Sequence, residues 1–307
     1  MKTVLSFLCL MALMQGRAQE FIPLWPNGRQ PNSNGVKIID SLANERIWKV
    51  ATPGMYAFPA PASDNNGTAV LICPGGGYQR LSHIYNGFQV ARWFNTHGIN
   101  AYVLIYRLPH QADLTERAIA PLQDAQRAMK ILNANSDRWK LVPGRIGVMG
   151  TSAGGHVASS LGTSTADVSR INDTLDNAVR RPDFMLLLSP VISMGEYAHP
   201  GSKRNLLGAD TSNAAMIRKF SNELNVTAAC PPAFLVHAVN DKTVNIRNSL
   251  LFYNALIDKN VNASFHSFPQ GGHGIRMTDN PGSTNLWLEL MEAWLKEMKF
   301  VVPVPFN

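Results

Sequence analysis

From Ala69 onward the chain alternates short unbroken apolar runs with longer stretches in which apolar residues recur every three or four positions. Ala69–Cys73 is a continuous apolar run, the signature of a strand covered on both faces. Similar runs predict strands at residues 101–106, 145–149, 184–188, 233–237 and 263–268. Between them, Ala118, Leu122, Ala125, Met129 and Leu132 make the apolar stripe of a helix. Residues 87–97 read as a helix stopped by Gly98, residues 157–161 as the start of another, and residues 246–259 as a third. Residues 284–299, with Leu288, Met291 and Leu295 on one face, predict a closing helix. Strand and helix in alternation imply a mostly parallel sheet with helices on both faces, the α/β class. On such sheets ligands gather at the carboxyl ends of the strands.

Two regions depart from this rhythm. Residues 21–34, rich in Pro, Asn and Gly, read as an extended arm on the surface, followed by two short strands at 46–50 and 55–58 that turn at Pro53-Gly54. Between Ser189 and Pro232 lie over forty residues with few periodic signals. A connection of that length in a compact domain is usually functional, and it reads as a small cap over the mouth of a pocket.

Composition narrows the class. The 307 residues are 45% hydrophobic and 16% charged, ordinary for a globular protein with a full core. Residues 1–18 stand apart: Lys2 precedes an apolar run from Val4 to Met14, and Gly16-Arg17-Ala18 offers the small residues of a cleavage site. This predicts a secretory signal peptide, leaving residues 19–307 as one catalytic domain, secreted or periplasmic and without a membrane anchor. Loss of Lys2 and Arg17 lowers the formal charge from +7 to +5, and the remaining bases are scattered, which argues against nucleic acid as a partner. Outside the leader there are two cysteines, Cys73 and Cys230, expected as buried free thiols because the strands that carry them lie far apart. Neither a Cys-rich zinc pattern nor H-E-x-x-H occurs, so no metal or organic cofactor is implied.

The candidate chemistry centres on Gly150-Thr151-Ser152-Ala153-Gly154-Gly155-His156, a serine between glycines where a strand turns into a helix. Such a corner is too tight for side chains two residues either side of the nucleophile, and it holds the hydroxyl out at the end of the sheet. A serine needs a base. Of the eight histidines, His273 alone sits in a glycine-flanked loop directly after the last strand, while His237 and His266 fall within strands as core or edge residues. Asp241 follows the preceding strand, completing the order Ser, acid, His. The three glycines of Pro74-Gly75-Gly76-Gly77-Tyr78 allow backbone N–H groups to approach a ligand, so Gly76 or Gly77, with Ala153, are the expected oxyanion donors. The loop lacks both the G-x-G-x-x-G spacing and the Walker lysine. Arg107 and Asp124 suggest a buttressing ion pair beneath the elbow, and Tyr78 either lines the pocket or packs.

With these residues in hand, the chain resembles the secreted bacterial α/β-hydrolases grouped with acetylxylan esterases and bifunctional acetylxylan/feruloyl esterases, some carrying a xylanase-B-like label. The likeness runs from Leu24-Trp25-Pro26-Asn27-Gly28 and Pro31-Asn32-Ser33-Asn34-Gly35 through Ile72-Cys73-Pro74-Gly75-Gly76-Gly77-Tyr78 and the elbow to Val236-His237-Ala238, Asp241 and Gly271-Gly272-His273-Gly274. It implies a triad of Ser152, Asp241 and His273 and an ester substrate, acetyl or feruloyl groups on plant polysaccharide. A xylanase activity lacks support in the residues, because no convincing pair of facing carboxylates stands at strand ends. Two other readings share parts of the pattern. A prolyl-oligopeptidase-type peptidase has the same elbow and triad order but usually a large additional N-terminal domain. A non-catalytic binding protein on a hydrolase scaffold would be marked by a decayed triad.

Overall fold

The apolar run Ala69–Cys73 becomes a fully buried strand inside an eight-stranded sheet. The computed structural model describes residues 19–302; the predicted leader, residues 1–18, lies outside the described residues. In chain order the strands are β1 (Phe21–Pro23), β2 (Ser41–Ala43), β3 (Arg46–Lys49), β4 (Gly54–Phe58), β5 (Ala69–Cys73), β6 (Asn100–Ile105), β7 (Ile146–Thr151), β8 (Met185–Leu188), β9 (Ala233–Ala238) and β10 (Ala263–Phe268). The α-helices are α1 (Gln89–Thr96), α2 (Ala120–Ala134), α3 (Ser136–Trp139), α4 (Ala153–Thr163), α5 (Pro200–Leu207), α6 (Ala214–Lys219), α7 (Arg247–Asp258) and α8 (Trp287–Glu297).

The sheet runs β1-β4-β6-β5-β7-β8-β9-β10. The six strands from β6 to β10 are mutually parallel, while β4 is antiparallel to β6 and β1 to β4. Right-handed crossovers put α1 on one face and α2, α4 and α7 on the other. α8 returns to the α1 face, where Glu292 approaches His97 at 3.6 Å. The chain runs from β5 to β6 toward one edge, then comes back past β5 to β7 and continues toward the other. Direction therefore reverses between β5 and β7, and the crevice at their carboxyl ends is where such a sheet receives ligands.

Three expectations change. The arm at residues 21–34 is not simply laid on the surface: β1 pairs with β4, and Leu24 and Trp25 are buried. Trp25 Nε1 donates to Asp124 Oδ1 at 2.9 Å, and Arg107 Nη1 donates to the Pro31 carbonyl at 2.7 Å. The buried Arg107–Asp124 pair thus fastens the arm rather than propping the elbow; taken out of water, the two charges need these extra partners to be tolerated. The strands at 46–49 and 54–58 do not form a hairpin with one another. β3 pairs with β2 in a separate two-stranded ribbon, and the more apolar β4 goes to the main sheet. Finally, α1 is preceded by a π-helical turn at Ile84–Phe88, and α8 by a 3-10 turn at Gly282–Leu286.

The aperiodic connection between Ser189 and Pro232 folds into short helices, too short to show a stripe, and its two α-helices are each announced by a capping side chain. His199 caps α5 ahead of Pro200, and Asn213 caps α6. Cys73 and Cys230 are buried and unpaired. Among the described residues no helix is long and apolar enough to cross a membrane.

Candidate active site

Ser152 joins β7 to α4 with φ 57° and ψ −124°, a backbone conformation that costs a non-glycine residue on the order of 1–3 kcal/mol. Neighbouring contacts hold it there. Ser152 N–H donates to the Leu188 carbonyl (3.1 Å), and its carbonyl accepts from Gly155 N–H and Val191 N–H (both 2.9 Å). The flanking glycines are sterically required. A Cβ on Gly150 would collide with the Gly154 carbonyl, and one on Gly154 with the carbonyls of Cys73 and Pro74.

Three side chains from three loops meet here. His273 Nε2 lies 2.9 Å from Ser152 Oγ, and His273 Nδ1 lies 2.7 Å from Asp241 Oδ2. An ionised carboxylate only accepts, so Nδ1 carries the proton and Nε2 is left to accept from the serine hydroxyl. The two loops are stitched together by Gly272 N–H donating to Asn240 Oδ1 at 2.8 Å. Asp241 Oδ1 accepts from the N–H groups of Thr243 (2.8 Å) and Val244 (2.9 Å), which orients the carboxylate. Burial pushes the Asp241 carboxyl up. Hydrogen bonds from His237, His273 and Val244, with the charge of His273, outweigh burial and hold the group well below the usual carboxylate range.

His237 is the first residue that the sequence pattern missed. It is buried in β9, with Nε2 3.2 Å from Asp241 Oδ2 and 3.0 Å from the Val244 carbonyl, and Nδ1 2.8 Å from Ser249 Oγ. Both partners of Nε2 are acceptors, so Nε2 bears the proton and Nδ1 accepts from Ser249. His199 is the second. Its Nδ1 accepts from Ser202 N–H at 3.1 Å, which leaves Nε2–H as the donor in a cleft shared with Ser152 and His273. Burial and the positive charges of His273 and Arg204, opposed by Asp241, lower its pKa and favour the neutral ring. The only signal for it was its place in the long connection.

Gly76 and Gly77 line this cleft of about 350 Å³ with Ser152, His199, Asn205 and His273. Gly76 (φ 140°) and Gly77 (φ 65°) turn the loop, and Tyr106 Oη braces it by donating to the Pro74 carbonyl at 2.8 Å. Asn205 Nδ2 donates to the Gly77 carbonyl at 2.7 Å, tying the connecting segment to the loop. Among the described hydrogen bonds, the N–H groups of Gly76, Gly77 and Ala153 have no protein acceptor. Tyr78 packs: it is buried, and its hydroxyl meets His156 Nδ1 at 2.7 Å. His156 Nε2 in turn donates to the Phe220 carbonyl at 2.7 Å. A larger cavity of about 470 Å³ lies against His156 and Phe220, but none of Ser152, Asp241 and His273 lines it. Among the described residues no cluster of three or more His, Cys, Asp or Glu is arranged to hold a metal ion.

Residues 57–256 match the BD-FAE family model. The chain is 34% identical over 245 residues to an acetylxylan esterase of Xylanibacter ruminicola, covering 78% of this chain and 47% of that protein. It is also 34% identical over 232 residues to endo-1,4-beta-xylanase B of Butyrivibrio fibrisolvens, covering 74% of this chain and 35% of that protein. The chain thus spans less than half the length of these curated relatives. Among solved structures, the acetyl ester-xyloside bifunctional hydrolase from Caldicellulosiruptor lactoaceticus aligns with TM-score 0.77 and 34% identity over 92% of this chain and 98% of that one. A carboxylesterase from Lactobacillus plantarum shares the fold at TM-score 0.68 and 22% identity, covering 88% of this chain and all of that one (100%).

Proposed function

We propose that this chain, a member of the BD-FAE family with the α/β-hydrolase fold, is an ester hydrolase, a serine esterase that removes acetyl groups from plant polysaccharide. The observation that carries this reading is the unbroken hydrogen-bonded relay from Ser152 through His273 to Asp241, at a strained corner beside a glycine loop. Ser152 Oγ attacks the ester carbonyl as His273 Nε2 takes its proton. The N–H groups of Ala153 and of Gly76 or Gly77 stabilise the oxyanion of the tetrahedral intermediate. His273 then returns the proton to the departing sugar hydroxyl, leaving acetyl on Ser152. Water, deprotonated by the same imidazole, releases acetate. Asp241 holds the imidazole in the tautomer that makes this possible and offsets its charge when protonated.

The polysaccharide substrate is supported by the acetylxylan esterase of Xylanibacter ruminicola and by the acetyl ester-xyloside hydrolase. A leader at residues 1–18, followed by one catalytic unit at 19–307, would deliver the enzyme to the periplasm or the medium, where such polymers are met. Glycosidic cleavage is not part of the proposal. Of the residues that line the two clefts flanking Ser152, Asp279 alone carries a carboxylate, whereas a glycosidase generally needs a facing pair.

The test is release of acetate from acetylated xylan by the wild type and by Ser152→Ala. We expect the substitution to lower kcat on the order of 10^6-fold. An unchanged rate would remove Ser152 from the mechanism. Inert xylan alongside a p-nitrophenyl acetate activity would remove the polymer.

A further inference from the structure

The cleft that holds Ser152 and His273 is also lined by Arg80. Its guanidinium lies over the indole of Trp48, with Cζ 5.1 Å from the ring centroid. The contact follows from the register of the small ribbon. Ile47 and Leu81 exchange backbone hydrogen bonds (3.1 and 2.8 Å), which brings Trp48 of β3 alongside Arg80. Arg80 Nη1 donates to Gln79 Oε1 at 3.1 Å. Nε is buried without an acceptor, and among the described residues no carboxylate lies within ion-pair range of this guanidinium. The two fully buried arginines behave differently: Arg107 and Arg127 each find an aspartate. Arg80 is thus a half-buried cation, oriented by an aromatic face and a neighbouring amide, unpaired and in the wall of the reaction cleft. A planar guanidinium fork held in this way is suited to a carboxylate, which it takes through two parallel hydrogen bonds.

We propose that Arg80, held by Trp48, forms a subsite for a carboxylate on the alcohol side of the ester, so that the enzyme prefers acetyl groups next to a uronic acid substituent. The proposal rests on the polysaccharide esterase reading above. Gln79 flanks the fork as a further polar partner for sugar hydroxyls, and Asn205 and His199 wall the same cleft.

The experiment compares an acetylated xylo-oligosaccharide bearing a uronic acid branch beside the acetylated residue with the same compound after reduction of its carboxyl group to an alcohol. The readout is the ratio of kcat/KM on the two. Wild type should favour the acid form about tenfold to a hundredfold, the range of a charge-assisted hydrogen bond. The ratio should shrink as salt rises. Arg80→Gln should bring it to unity, Arg80→Lys should keep part of it, and Trp48→Leu should weaken it. Because each enzyme serves as its own reference, a general loss of activity does not mimic the result. A wild-type ratio of one, or a preference kept in Arg80→Gln, overturns the subsite and leaves the esterase reading standing. If neither oligosaccharide loses acetate while p-nitrophenyl acetate is cleaved, the polysaccharide reading fails and takes the subsite with it.

Discussion

Asp241 serves two histidines with one carboxylate oxygen. His273 Nδ1 and His237 Nε2 both approach Oδ2, at 2.7 and 3.2 Å, while the backbone occupies Oδ1. On the proposed mechanism the two contacts do different work. The first selects the tautomer of the base, and the second fixes the carboxylate from behind. Asp241→Asn should therefore lower kcat about 10^4-fold, because an amide can donate to His273 and favour the wrong tautomer. His237→Gln should cost only about tenfold, the worth of one hydrogen bond, with KM little changed. Steady-state kinetics on p-nitrophenyl acetate separate the two; equal losses would mean that His237 acts on the base directly. The place of His273 is readable from a glycine loop after the last strand. The contact of His237 is not, because alternation along a strand tells which face a side chain takes and not what stands opposite.

At the level of the element, the elbow depends on a few absent side chains. The corner from β7 to α4 closes only because Gly150 leaves room for the Gly154 backbone and Gly154 for the exit of β5. Gly154→Ala should lower stability by about 1–3 kcal/mol, as overpacking does, and slow labelling of Ser152 by a fluorophosphonate as the helix is pushed from the Gly75–Gly77 loop. Urea denaturation and labelling rates check both; wild-type values for both would mean that the corner has slack. The ribbon of β2 and β3 teaches the opposite lesson. Turn residues at Pro53-Gly54 suggest a hairpin, yet β3 and β4 part company because β4 is apolar enough to enter the main sheet while β3 is half exposed.

Across the whole molecule, buried polar groups link the site to distant segments. His156, one helical turn past the elbow, is fully enclosed between Tyr78 of the glycine loop and Phe220 of the long connection. Burial lowers its pKa from 6.5 to about 4, against the pull of the Phe220 carbonyl. The folded ring stays neutral through a range in which the unfolded one gains a proton, so stability falls as pH drops from 6.5 toward 4. The loss should reach about 3 kcal/mol at the lower end. Burial lowers His83, His199 and His266 as well, which adds to the slope. Asp241 acts in the same direction but at lower pH: held below its ordinary range, it adds stability above about pH 4 and loses it as the pH falls further. Urea midpoints at pH 7, 5.5 and 4.5 should therefore decline. In His156→Gln, stability should be lower at pH 7 but the decline flatter. A steeper decline in the variant would contradict this account.

The order of the main strands and helices, the strained corner and the loop positions of Ser152, Asp241 and His273 were legible in local pattern, because hydrophobic period, glycine and short loops act over a few residues. Which histidines surround Asp241, how the N-terminal arm locks onto Arg107 and Asp124, and where β3 sends Trp48 were decided by the tertiary structure alone. Trp25 and Asp124 are 99 residues apart in the chain, as Ser152 and His273 are 121 apart. Contacts at such separations are fixed by sheet order and register, which depend on all the strands at once.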